Sequence, residues 1–233
     1  MNTGQKVALG IGAVILLLII IFAATGALKL NVNVSNNGSP PASDTSTSVS
    51  DQLQARSSLP REDYTPQTFS FAGSFGGQVS GTLPRGWQPG DPAPGVDLSL
   101  GALLPDTATS GEQFRANAVF TSGPIPLTGV TINSIEDAIT AYENLYATAL
   151  GQELPQATIG EQYRATVAGL PAYVLTLRNP YTSGSLIYQE QYTIFVDASN
   201  RIELTLSILD EALAQRRGEL DELISSLQIT PGV

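Results

Sequence analysis

The sequence has no histidine and no cysteine in 233 residues. Those are the side chains most used for proton transfer near neutral pH and for holding zinc, copper or haem iron. Their absence excludes imidazole, thiol and transition-metal chemistry, together with any disulfide framework and any lipidated N-terminal cysteine. Lysine is almost as scarce. Lys6 and Lys29 are the only two, so Schiff-base chemistry and Ser-Lys dyads have no residue to use further along the chain. A Gly-x-Ser-x-Gly elbow, a phosphate-binding loop and a zinc-binding helix motif are also missing. No cofactor and no enzymatic activity are expected.

What is present first is a long apolar run. Residues 7–28 read VALGIGAVILLLIIIFAATGAL without a charge. As a helix this spans roughly 33 Å, enough for the ~30 Å hydrocarbon core of a bilayer. It has no polar face, which a helix packed at the surface of a globular core would show. A cleaved signal peptide is the alternative, with small residues at Ala24, Gly26 and Ala27, but the run is longer than the ~7–15 residues of a cleaved core. It is read as a retained anchor that puts the chain in contact with the lipid bilayer. The N-terminal amine and Lys6 precede the run and Lys29 alone follows closely, so residues 1–6 are assigned to the cytoplasm and everything beyond the span to the outside.

Residues 29–64 are rich in Ser, Thr, Asn and Pro and poor in large apolar groups. Such a stretch cannot bury enough surface to offset its ordering entropy and reads as a flexible tether. Asn33 and Asn37 match the N-glycosylation pattern.

Residues 65–233 are long enough for one domain with its own core. They carry seven arginines against seventeen aspartates and glutamates, a net charge of −10. Nucleic acid and anionic headgroups are repelled by such a surface, and no nucleic-acid partner is expected.

Periodicity gives the coarse structure. Short strands are expected at 69–75 and 79–83, the second ending in a Pro84-Arg85-Gly86-Trp87 turn. The loop QPGDPAPG follows, then strands at 96–104 and 114–121. Ser134, with Asp137 three residues on, forms a capping box. The helix it opens carries Ile135, Ala138, Ile139, Tyr142, Leu145, Tyr146 and Ala149 at helical spacing and is expected to stop at Gly151. Four more strands fall at about 157–167, 171–178, 185–197 and 201–209. In the last, Ile202, Leu204, Leu206 and Ile208 alternate with Glu203, Thr205 and Ser207, predicting one buried and one polar face. A closing helix from about 211 to 227 carries Leu213, Leu220, Leu223, Ile224 and Leu227, with Gly218 inside it as a point of bending.

The stretch VAGLPAYVLTLRNP, 167–180, reads as a hairpin turn. Gly169 supplies backbone freedom, and Arg178 lies on the wetter side of the following strand. The next loop, NPYTSGS, is expected to show Tyr181 to solvent. Arg178 and Tyr181 are therefore the residues assigned to contact with a partner. Two other readings use carboxylates. A polysaccharide hydrolase could draw on Asp91, Asp97, Asp106, Glu190 and Glu203, although their spacing marks no pair. A small-molecule or calcium module could use the loop from Asp91 to Asp106.

Four segments, TLPRGW (82–87), the helix at 134–150, AGLPAYVLT (168–176) and the terminal ISSLQI (224–229), together resemble the PsbP-like family, the group that includes PsbP, DcrB and LpqN-type lipoproteins. The resemblance implies an α+β fold, an antiparallel β-sheet packed between helices as an α/β/α sandwich, preceded here by one N-terminal transmembrane helix. It also implies a non-catalytic module that supports or assembles a membrane-associated complex, with an unidentified envelope or membrane protein as partner. The chain departs from the family in lacking histidine, which puts metal binding in doubt, and in having an apolar span where the lipoproteins have a lipidated cysteine.

Overall fold

A computed structural model describes residues 65–126, 131–181 and 184–232. The span at 7–28, the tether and the acceptor asparagines Asn33 and Asn37 lie outside them. Among the described residues no helix is long and apolar enough to cross a membrane. The chain begins with β1 (Thr68–Ala72), β2 (Gln78–Thr82), β3 (Trp87–Gly90), β4 (Leu98–Ala102), the short pair β5 (Asp106–Thr107) and β6 (Gln113–Phe114), and β7 (Asn117–Pro124). Helix α1 (Ile135–Glu153) follows, then β8 (Thr158–Val167), β9 (Leu170–Pro180), β10 (Leu186–Phe195) and β11 (Asn200–Leu209). A 3-10 turn leads into α2 (Leu213–Ser226), and β12 (Gln228–Thr230) completes the fold.

Seven strands form one antiparallel sheet in the order β3-β4-β7-β11-β10-β9-β8. Helix α1 packs on one face. Tyr142, Tyr146 and Leu150 meet Tyr173, Leu175, Leu177 and Phe195 there, with Tyr142 edge-on to Phe195 at 5.4 Å. On the other face α2 brings Leu220, Leu223 and Leu227 against Ile202, Leu204, Leu206 and Ile208. Each such side chain, fully buried, contributes about 1.5–3 kcal/mol. This second layer is not helix alone: β1, β2 and β12 form a separate three-stranded antiparallel sheet, and Phe69 and Phe71 of β1 sit 5.6 and 5.5 Å from Phe120 of the main sheet. The expected α/β/α sandwich is thus an antiparallel sheet between α1 and a mixed layer of α2 with a small sheet.

Three expectations are corrected. Gly151 does not stop α1, which runs to Glu153 and is capped at Leu154, because no left-handed turn is made at Gly151. The QPG of the Pro/Gly loop is edge strand β3, where a proline costs no ladder bond on the open side. The polar face of β11 is not wet, since Arg201, Glu203, Thr205 and Ser207 are all buried.

Local rules explain other features. Ser134 accepts the Asp137 N–H at 3.1 Å, but the Asp137 carboxylate reaches Asn133 N at 3.0 Å, one residue outside the usual box. The β8–β9 hairpin turns on Ala168 and Gly169, with φ of 51° and 80°, the paired positive angles of a two-residue hairpin loop. In β8 the register shifts between Ile159 and Gln162. The bulge reverses the alternation, so Ile159 faces α1 while Tyr163, Ala165 and Val167 face α2.

Candidate functional site

Glu190 sits mid-strand in β10 on the face toward α2 and is 1% exposed. Burying a carboxylate is costly unless its oxygens are bonded. Here they are. Tyr192 donates to Oε1 at 2.6 Å and Tyr163 at 3.1 Å, while Arg217 donates to Oε2 at 2.7 Å and Tyr188 at 3.4 Å. Two of the tyrosines come from β10 itself at two-residue spacing, the third from the shifted part of β8, and the arginine from α2. Arg217 also pairs with Asp221 one helical turn on, at 2.9 Å.

The electrostatics follow from burial. Desolvation pushes the Tyr188 hydroxyl up to about 12 and the Tyr192 hydroxyl higher still, with the Glu190 charge adding to both. Burial works against the Arg217 guanidinium, yet its bond to Glu190 and the charge of Asp221 outweigh that and raise it. The result is a tyrosine cage around a charge pair, of which Tyr163, Tyr192 and Arg217 also line a groove of about 460 Å³ with Asp221 and Ile224.

The remaining sequence-derived carboxylates are dispersed. Glu203 is opposite Thr193 on the α1 face, away from Glu190, and pairs with Arg201 at 2.7 Å. Asp106 is buried against Arg216. Asp97 lies at the start of β4, its N–H bonded to Phe120 O at 2.9 Å. Asp91 is exposed. Glu190 and Glu203 therefore cannot flank one substrate. Among the described residues no three Asp or Glu side chains come together to hold a cation, so the calcium reading of the loop from Asp91 to Asp106 is not supported by its geometry.

Arg178 and Tyr181 fall in different places. Arg178 is bound to Asp210 at 2.8 Å and lies over the Tyr188 ring, 5.4 Å from its centre. It borders the Glu190 cluster. Tyr181 is not displayed at a loop tip. It is half-buried, edge-on to Phe114 at 5.5 Å, and lines a second cleft of about 230 Å³.

That cleft was not foreseen. Its wall is built from β3, β4 and β7, where Gln88, Gly101 and Asn117 form one cross-strand row and Gly90, Ser99 and Val119 the next. Asp91, Gln113 and Arg115 complete the lining. A glycine inside the strand-like run VDLSLGALL was the available signal, since glycine in a strand marks a bulge or a close approach.

No protein-family model and no curated protein matches the chain. Solved structures do. LpqN of Mycobacterium tuberculosis, described as involved in cell envelope biogenesis, superposes with a TM-score of 0.50 at 16% identity, over 78% of this chain and 97% of that one. The fold is PsbP-like. The cyanobacterial PsbP of Synechocystis gives a TM-score of 0.47 at 16% identity over 72% of this chain and 96% of that one. The Ran-binding protein Mog1p of Saccharomyces cerevisiae gives 0.41 at 10% identity over 70% and 96%. At these identities the likeness concerns the PsbP-like fold and assigns no residue a role.

Proposed function

We propose that the chain is a membrane-anchored, extracytoplasmic, non-catalytic binding or scaffold protein that supports a membrane-associated complex in the cell envelope. Residues 7–28 hold it in the bilayer, 29–64 tether it, and the PsbP-like domain meets an envelope or membrane protein, with the exposed Arg178 at the contact. The observation that carries the reading is the state of Glu190. The most deeply buried carboxylate of the hydrolase reading is held by three hydroxyls and a guanidinium, an arrangement that supports a structural role for it. The envelope role described for LpqN agrees with this placement.

The test is crosslinking of intact cells with a membrane-impermeant reagent, followed by salt and alkaline washing of the membranes. The chain is expected to stay with the membrane and to be joined to an envelope protein, with less product from Arg178→Ala. A chain released by salt alone, or one that the reagent cannot reach, refutes the placement.

A further inference from the structure

The domain has seven arginines for seventeen acidic residues, a ratio at which every guanidinium should find a carboxylate. Arg164, Arg178, Arg201, Arg216 and Arg217 do. Arg115 does not: among the described residues it has neither an ion pair nor a side-chain hydrogen bond, and it lines the cleft on β3, β4 and β7. Asp91, on the same cleft, is also without a partner among the described residues. Two exposed charges of opposite sign, neither engaged by another described residue, thus border one cavity.

The wall between them is kept low. Gly90 and Gly101 have no left-handed backbone angle, and a Cβ on them would meet nothing nearer than 3.8 and 3.9 Å. Neither turn geometry nor packing calls for glycine, which in a strand interior costs about 0.5–1 kcal/mol relative to alanine. What the two glycines provide is room. Gln88, Gln113 and Asn117 add three carboxamides, groups that donate and accept as a peptide unit does. The Asn117 amide is oriented by a bond from Nδ2 to Arg115 O at 3.1 Å, and its oxygen is buried without a partner.

We propose that this cleft binds a small zwitterion of the amino-acid or dipeptide class, its carboxylate on Arg115 and its ammonium on Asp91. The inference rests on the reading of the domain as a binding module. A purely anionic ligand would be opposed by the net charge of −10, whereas a zwitterion carries no net charge and matches both free groups. The volume of about 230 Å³ is below the ~300–1,000 Å³ of ordinary ligand pockets, which limits the guest to a few heavy groups.

The experiment is calorimetric titration of the full chain in detergent with leucine, glutamine, Ala-Leu and Gly-Gln, and with the N-acetyl and C-terminal amide forms of whichever binds. At least one free zwitterion is expected to bind. Arg115→Gln should weaken it by about tenfold and remove the preference over the amide; Asp91→Asn should do the same against the acetylated form. Gly101→Val should abolish binding with the melting temperature unchanged or raised. If that variant fails to fold, the two charge variants still decide. No binding by any of the four, or equal binding of blocked and free forms, overturns the inference. A chain that binds none yet crosslinks to an envelope protein overturns this site and leaves the scaffold reading standing. One that binds a zwitterion but leaves the membrane in salt does the reverse.

Discussion

Arg216 and Asp106 form a buried ion pair that fixes α2 to the β5–β6 hairpin, with 3% and 6% of their side chains exposed. The same guanidinium donates to Leu104 O at 3.1 Å and to Glu219 at 2.6 Å, and Glu219 in turn accepts the Trp87 indole N–H at 2.8 Å. One arginine therefore links the helix to the hairpin and, through Glu219, to the edge strand.

Removing Asp106 leaves the buried Arg216 with only the partly exposed Glu219 and the Leu104 carbonyl, and removing Arg216 takes the ion pair from a buried Asp106. Asp106→Ala and Arg216→Ala are each expected to lose about 3–5 kcal/mol of folding free energy, read as a lower urea midpoint. Asp106→Leu with Arg216→Met should regain most of it, because no charge is then left buried. Unaltered midpoints for the single variants would mean the pair is not formed.

The tyrosines set an alkaline limit. Burial pushes Tyr188 and Tyr173 up to about 12, raises Tyr142 and Tyr192 further, and holds Tyr146 well above its ordinary value. An unfolded tyrosine titrates near 10. Because the folded values are the higher ones, the stability these hydroxyls contribute is complete below about pH 10 and is lost as pH rises through about 12. Tyrosinate absorbance should lag that of free tyrosine and then rise together with loss of the native circular dichroism. A full complement of tyrosinate in a still-folded protein at pH 11 would contradict this.

The bulge in β8 depends on Gly160. A Cβ there would stand 2.5 Å from Thr176 Oγ1, which accepts the Glu161 N–H at 2.8 Å. Gly160→Ala is expected to cost about 1–3 kcal/mol. In a double-mutant cycle with Thr176→Ala the pair should cost less than the sum, since removing the hydroxyl removes the collision. Strict additivity would mean that the added methyl does not collide with the Thr176 hydroxyl.

The long strands and α1 are legible because their signals are local: alternation in β11, a serine cap and a 3.6-residue stripe in α1. The use of each face is not local. Glu203, Thr205 and Ser207 read as a polar face, yet they are buried, with Glu203 on Arg201 and Ser207 on Gln189, and a buried polar row looks the same in sequence as a wet one. The bulge at Gly160 escaped for a related reason: one extra residue inverts the alternation of everything after it. Glu190 was visible only as one carboxylate among five. Its cage joins β8, β10 and α2, and the cleft at Arg115 is visible only once β3, β4 and β7 lie side by side. Arg178 and Tyr181 are close in the chain, whereas the fold sets Arg178 on Asp210 and the Tyr188 ring and Tyr181 against Phe114 in the cleft.

The pairing of β12 with β2 also governs when the domain can finish folding. Ile229 lies opposite Val79, so the small sheet lacks its third strand until residues 228–230 have been synthesised. The β1–β2 hairpin emerges first and must keep Phe69 and Val79 from other contacts in the meantime. Completion becomes one late, long-range step, slow by the rule that distant contacts fold slowly, and a ribosome-stalled chain ending before residue 228 would display an open strand edge.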